Sequence, residues 1–523
     1  MSINCIRTLI EDASISHPNK VAVKFGAEEI TYSELVHKVD QIAYYLSELN
    51  LKKGSRVGIY SNKGIDQVIA ILAVLSTDYV LVPLTRLLKP EQVEYMIKDC
   101  DVKCIITDRV KIESIEEINF DGHIISYETT HKDLPSFEEI YKYYNKDYKC
   151  EIAGHDNAVI TYSFGSTGKP KGIVISHRNL IDSARVVSQY LDLKENDVIS
   201  GLLIFNLDYG LNQLFCTLYK RATLALHRFV LPGDFFNYII NYKITVLPLM
   251  PINITDMFDE DEHRLPSAEL LANVRIITSS GGNVTAKMLN DVEKYFANAQ
   301  FFSMHGLTEA FRSTYLEPSQ LKIRPESIGK PIPDVELYVI DKDGNECGPR
   351  VVGELIHRGG YIYKGFWNAP EQTNARFKSI DILKNVIELE GQLRDEVVVQ
   401  TGDYVYKDEE GYFYFVSRHD DMIKTRGFRV SPFEIESVVE QNLPEIERCA
   451  VFSIPNEDIE EEIVLVYSAS TQITSNEILF ELKKHLASYM IPEKIIYKKS
   501  LPLVPSDKNK VNKDDLKKEL LTK

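Results

Sequence analysis

The sequence predicts an α/β fold in which parallel-type sheets are covered by helices, spread over two or more domains. Three observations predict it. Across residues 1–150, amphipathic helical runs such as TYSELVHKVDQIAYYLSEL and DQVIAILAVLS alternate with short apolar strands such as SRVGIYS and VKCIITD, the pattern of sheets layered with helices. Residues 327–368 change to strands, VELYVID and GELIHRG, separated by the turn KDGNE, and read as a small β-region. At 523 residues the chain is longer than one core supports.

Composition narrows the class further. Apolar content of 44% and charged content of 26% are those of a soluble globular protein. The net charge is −17 and no long basic run occurs, which argues against nucleic acid or an anionic membrane as a partner. The seven cysteines (Cys5, Cys100, Cys104, Cys150, Cys216, Cys347, Cys449) are scattered and odd in number, so they read as reduced, mostly buried thiols. MSINCIRTLIEDASI carries acids and no apolar core of signal-peptide length. The most apolar window, VIAILAVLSTDYVLVPL, is broken by Asp78 and flanked by Asp66, so it is not expected to span a membrane. The expectation is a cytoplasmic protein.

The chain in order yields six stretches with chemistry. Residues 163–172, SFGSTGKPKG, hold three glycines, three hydroxyl side chains and two lysines between an apolar strand and a polar helix. Gly165, Gly168 and Gly172 permit φ > 0 and close backbone approach. Backbone N–H groups with Ser163, Ser166, Thr167, Lys169 and Lys171 suit anionic oxygens. Only two residues separate Gly165 from Gly168-Lys169, and Pro170 follows, so this is not the P-loop of NTPases. The favoured ligand is a polyphosphate; the alternative is a solvated hairpin.

Asp208 interrupts an apolar run, and two readings stand: a helix N-cap, or a carboxylate in apolar surroundings that wants a cation. VRIITSSGGN (274–283) is a strand ending in a glycine turn, and FFSMHGLTEAFRST follows. Residues 378–399 are acidic and irregular and read as a surface excursion. VVVQTGDYV places Asp403 after a strand, where an aspartate after glycine is often only a turn residue. LPLVPSDKNKVNKDDL holds Lys508 and Lys510 and could be a solvated basic tail.

SFGSTGKPKG resembles the phosphate loop of the adenylate-forming superfamily, which comprises acyl-CoA synthetases, luciferases and the adenylation domains of nonribosomal peptide synthetases. Similar stretches recur in that family's order at 203–212, 279–283, 304–309, 353–367, 401–403, 417–436 and 501–513, so the resemblance spans almost the whole chain. It implies a large domain, 1–419, with a β-barrel portion, and a small mobile α+β lid, 420–523, hinged at Asp420. The loop would bind ATP. Gly281, Gly282, Asn283 and His305 would face adenine, His305 replacing the usual tyrosine. Thr308 would meet phosphate and Glu309 would ligate Mg²⁺. Asp403 and Arg418 would bind ribose, with Ser417 replacing a glycine.

By the same matching Asp208 would hold a substrate amino group, Leu207 standing where phenylalanine is usual. Tyr209, Asn212, Met304, Arg312 and Ser313 would be pocket walls. Gly427 would line a pantetheine tunnel. Lys510, in KVNK after LPLVP and with Asn509 in place of glycine, would be the catalytic lysine.

The implied chemistry is attack of a carboxylate on the α-phosphorus of ATP, then capture of the acyl-adenylate by a thiol. Such chemistry needs positioning and charge neutralisation, not a nucleophilic side chain, and neither a G-x-S-x-G elbow nor a Ser/His/Asp set is found. The favoured expectation is a free-standing enzyme that loads an amino or imino acid onto the phosphopantetheine arm of a separate carrier protein. An acyl-CoA synthetase for an acid without an amine is the alternative, with CoA as acceptor. A non-catalytic ATP-binding module is the third.

Overall fold

The computed structural model describes residues 3–130, 134–144, 148–149, 151–164, 170–206, 208–228, 232–258, 265–282, 284, 286–389, 395–418, 422–469, 473–504 and 507–521. The predicted alternation builds two sheets in the N-terminal part. One has six strands in the order His123–Ser126, Val102–Thr107, Arg56–Tyr60, Val80–Leu84, Asn157–Phe164 and Pro170–Ser176. All neighbours are parallel except the last pair, a hairpin. The strand Val80–Leu84 is buried at every position, and the helix Ile65–Leu75 is buried nearly all round. That is why VIAILAVLSTDYVLVPL is so apolar: it is a core helix and a central strand. Among the described residues no helix is long and apolar enough to cross a membrane.

Local chemistry sets the helix starts. Thr31 and Glu34 form a capping box, with Glu34 Oε2 accepting from the Thr31 N–H at 2.8 Å. Ser176 ends one strand of the hairpin and caps the helix His177–Tyr190. The six cysteines among the described residues are buried and free.

The second sheet is mixed and has fourteen strands. Its parallel centre includes Val246–Leu249, Ile276–Ser279 and Gln300–His305. The β-barrel expected in the large domain is not closed. Val335–Ile340, Gly353–Gly359, Val397–Lys407 and Phe413–Arg418 continue the same open sheet through Ser327–Pro331, because each pairs antiparallel with a neighbour already in the row. The segment expected as a surface excursion is also partly core. Ile380 and Leu383 pack with Ile340, Ile356 and Val398, apolar side chains that the surrounding acids obscured.

Residues 422–521 form a smaller α+β unit. The long hairpin Ile446–Asn456/Glu460–Ala469 is its centre, flanked by Ile423–Thr425, Phe428–Val430 and Lys494–Tyr497. The helices Pro432–Asn442 and Ser475–His485 pack against one another, and Leu516 of the helix Lys513–Leu521 packs with Ala450 and Phe452. One apolar cluster joins this unit to the large domain, running from Val93 and Met96 to Val430, Ile435 and Met490.

A polar contact crosses the same seam: Gln92 Nε2 donates to Glu434 Oε1 at 2.9 Å. Burial pushes the Glu434 carboxyl up to about 8, partly offset by that bond. The docked arrangement therefore holds a proton that a water-exposed Glu434 gives up near its usual value. Docking is fully favoured below about pH 4.5 and weakens as pH rises toward 8. Glu434→Gln should flatten that dependence, measured as limited proteolysis of the seam between pH 5 and pH 8.5. An unchanged slope would place the titrating group elsewhere.

Candidate active site

The parallel strands of the large sheet aim their C-terminal ends at one place, the usual position for a ligand crevice in such sheets. Ser279 pairs with Ser303, so the turn after Ile276–Ser279 and the turn after Gln300–His305 lie side by side. Together with the start of the helix Asp208–Lys220 and the hairpin Ile423–Thr425/Phe428–Val430 of the smaller unit, they enclose a cavity of about 740 Å³.

Ser163, Gly281, Gly282, His305 and Thr308 line this cavity, as do Asp208, Tyr209, Met304, Arg312 and Gly427. Stretches as far apart as 163 and 427 in sequence thus share one site. The glycines are needed where the large domain and the smaller α+β unit meet. Gly281 has φ +91° and Gly427 has φ +75°, and a Cβ at Gly427 would lie 2.8 Å from Met250 Sδ.

Asp208 opens its helix, but not as a regular cap. Its Oδ1 accepts from the N–H of Tyr209 at 2.7 Å, one residue on, whereas a capping carboxylate takes the N–H two or three residues on. Among the described residues this is its one hydrogen bond. Burial raises the Asp208 pKa, and the fields of Arg312, the Tyr209 N–H and Arg429 lower it. Tyr209 is fixed by Thr278 Oγ1 at 2.7 Å, and its ring lies 4.5 Å below the Arg312 guanidinium. Arg312 Nη1 donates to Ser280 Oγ at 3.0 Å. Met304 Sδ accepts from Tyr190 Oη at 3.0 Å.

Two residues expected as pocket walls stand behind the lining. Asn212 Nδ2 donates to Ser183 Oγ at 3.2 Å. Ser313 is fully buried, with its Oγ 3.0 Å from His357 Nδ1. His357 Nε2 lies 3.2 Å from the Gly360 carbonyl, and burial lowers its pKa to about 4. The ring is therefore neutral, with Nε2–H donating to Gly360 and Nδ1 accepting from Ser313.

On the other side of the cavity, His305 Nε2 is 3.2 Å from Asp403 Oδ2. Asp403 is 1% exposed, and its partner His305 lines the cavity. Asp403 faces Arg418 across antiparallel strands, so the residues expected on ribose are neighbours in register. Glu309 is buried, its backbone carbonyl accepts from the Tyr363 N–H at 3.0 Å, and its Oε2 has no partner among the described residues. A buried carboxylate oxygen in that state suits a divalent cation. No cluster of three or more metal-ligating side chains occurs among the described residues, and Glu309 itself stands outside the cavity lining, which its neighbours Leu307 and Thr308 join.

Gly165, Ser166, Thr167, Gly168, Lys169, Asn283, Asp420 and the side chains of Arg418 and Lys510 lie outside the described residues. The Lys510 backbone is on the strand Asp507–Val511, paired with Leu503–Val504. Lys171 pairs in register with Ser163 across the hairpin, its Nζ 5.9 Å from the Phe366 ring centre.

Sequence reasoning passed over three contributors. Arg429 Nη1 donates to Thr308 Oγ1 at 3.2 Å, bringing a cation of the smaller unit into the site. Glu460 packs against Gly282. Lys63 Nζ donates to the Gly201 and Leu203 carbonyls at 2.7 Å each, clamping the chain that leads to Asp208. Arg429 sits in the family-like stretch 417–436; Lys63 gave no local signal.

With this geometry in place, comparison with known proteins is informative. The family model described as AMP-binding enzyme matches residues 10–367. Tyrocidine synthase 1 of Brevibacillus parabrevis is 25% identical over 512 residues, covering 96% of this chain and 44% of that protein. The chain thus spans less than half the length of this relative, and 9% and 6% of two others from the same organism. In fold it is similar to o-succinylbenzoate CoA synthetase of Bacillus subtilis, with TM-score 0.82, 23% identity and 97% of both chains covered. It is also similar to an artificially fused adenylation–PCP di-domain from Klebsiella oxytoca, with TM-score 0.78, 22% identity, and 95% and 94% covered. The chain belongs to the AMP-binding enzyme family, within the adenylate-forming superfamily.

Proposed function

We propose that the protein activates an amino or imino acid as its aminoacyl-adenylate and passes the acyl group to the phosphopantetheine thiol of a carrier protein. The observation that carries this reading is the cavity-lining Asp208 carboxylate, bonded only to its neighbour's N–H among the described residues. A carboxylate so placed favours a substrate ammonium. The related tyrocidine synthase and the adenylation–PCP fold neighbour support a carrier as acceptor.

In the first step the turn 163–172 grips the pyrophosphate of ATP, and Asp403 and Arg418 orient the ribose. Asp208 holds the ammonium so that the acid's carboxylate faces the α-phosphorus. Mg²⁺ held by Glu309 would neutralise phosphate charge. Lys510 contacts the reacting carboxylate and phosphate oxygens, and pyrophosphate leaves. In the second step the lid, residues 420–523, turns about Asp420. The thiol enters past Gly427, attacks the acyl carbon and displaces AMP.

A second reading follows from the short Tyr209 contact and the o-succinylbenzoate CoA synthetase fold neighbour: Asp208 only orders the helix start, and the acid lacks an amine. Amino-acid-dependent ATP–pyrophosphate exchange decides, across a panel of α-amino acids, proline, β-amino acids, and fatty and aryl acids. The expected result is exchange with amine-bearing acids, and an Asp208→Ala KM about 10–100-fold higher for the acid with ATP KM unchanged. Exchange with amine-free acids alone would establish the second reading.

A further inference from the structure

Two opposite charges line the cavity without pairing each other, and the second of them points to the substrate class. Arg312 is 4% exposed, lies over the Tyr209 and Phe311 rings at 4.5 and 5.0 Å, and spends Nη1 on a neutral hydroxyl, Ser280 Oγ. Its Nε has no hydrogen-bond partner among the described residues. No carboxylate of the described residues lies within ion-pair distance of the guanidinium, although the field of Arg312 acts on Asp208.

A sequestered guanidinium with one neutral bond is costly, and an anion in the cavity removes that cost. Nε is closed off from solvent, so an anion in the cavity meets the guanidinium at its terminal nitrogens, with a charge-assisted bond. Arg312 stands on the same wall as Tyr209 and Ser280, close to Gly306, and its field reaches Asp208.

We infer that Arg312 binds a second carboxylate of the substrate, so that the acid activated is a dicarboxylic amino acid of the aspartate or glutamate type. The inference rests on the aminoacyl-adenylate reading: Asp208 takes the ammonium, the reacting carboxylate faces ATP, and the distal carboxylate reaches Arg312. A carboxylate could also come from the reacting end of a neutral amino acid, and the test separates the two sources.

The protein is assayed by ATP–pyrophosphate exchange with aspartate, glutamate, asparagine, glutamine, alanine and leucine. Binding of glutamate and glutarate without ATP is measured by calorimetry. The expected kcat/KM for the acidic amino acids is at least about tenfold above that for their amides, and Arg312→Met erases the preference with about a 100-fold loss for the acids. Arg312→Lys, which keeps the charge, should restore part of that loss and guards against misfolding of the methionine variant.

If neutral amino acids exchange best, or Arg312→Met lowers exchange equally for every acid, the inference is overturned while the adenylation reading stands. If no acid supports exchange, the adenylation reading fails. Binding then decides alone: glutarate bound by the wild type and lost in Arg312→Met supports the Arg312 site, and no binding overturns it.

Discussion

Glu309→Gln should lower ATP–pyrophosphate exchange about 100- to 1,000-fold, or about 3–4 kcal/mol of transition-state stabilisation, with little effect on KM for the acid. The substitution keeps shape and removes charge. Glu309 is buried and its Oε2 has no partner among the described residues, while its carbonyl is held by Tyr363. Folding gains nothing from an uncompensated carboxylate there, so the variant's Tm without nucleotide should equal or exceed the wild type's. With ATP and Mg²⁺ added, the wild type should rise in Tm and the variant much less. The pair of measurements separates a cation anchor from a packing residue. A lower Tm without nucleotide, together with normal exchange, would assign Glu309 to structure alone.

How far the sequence could be read depended on whether the signal was local. The core helix Ile65–Leu75 and the strands Arg56–Tyr60, Val102–Thr107 and Asn157–Phe164 were legible because apolar runs state their own geometry. The open course of the sheet beyond Ser327 was not, since strand pairing is set between distant segments. Which members of a motif touch the cavity was also hidden. Asp208 and Arg312 line it while Asn212 and Ser313 turn to Ser183 and His357, and helix phase with non-local partners decides that. Asp403 shows the same limit. Its strand register with Arg418 follows from the two motifs, but its contact with His305 needs the third dimension. Lys63 is the extreme case, for its carbonyl partners lie about 140 residues away and nothing around SNKG announces them.

Arg429→Ala and Lys510→Ala should fail in opposite half-reactions. The lid presents the hairpin Ile423–Thr425/Phe428–Val430 to the cavity, and Arg429 bonds Thr308 there. Thr308 is proposed to meet the phosphate, so in this arrangement the cation beside the departing AMP is Arg429. Phe428 stacks on Tyr489 at 4.0 Å, which fixes the hairpin independently of the arginine. Truncating Arg429 therefore removes a charge-assisted contact without releasing the hairpin. Thioester formation from a supplied adenylate should fall about 100-fold, and ATP–pyrophosphate exchange should change about threefold or less. Lys510 lies on another lid strand, Asp507–Val511, and its proposed duty belongs to adenylation. Lys510→Ala should cut exchange about 100- to 1,000-fold and spare transfer from a supplied adenylate. Quenched-flow measurement of each half-reaction in both variants gives four numbers. Crossed losses are the signature of a lid that brings different cations to the phosphate in turn. Parallel losses in both variants would mean that one fixed lid position serves both steps, and Arg429 would then be a structural contact of Thr308.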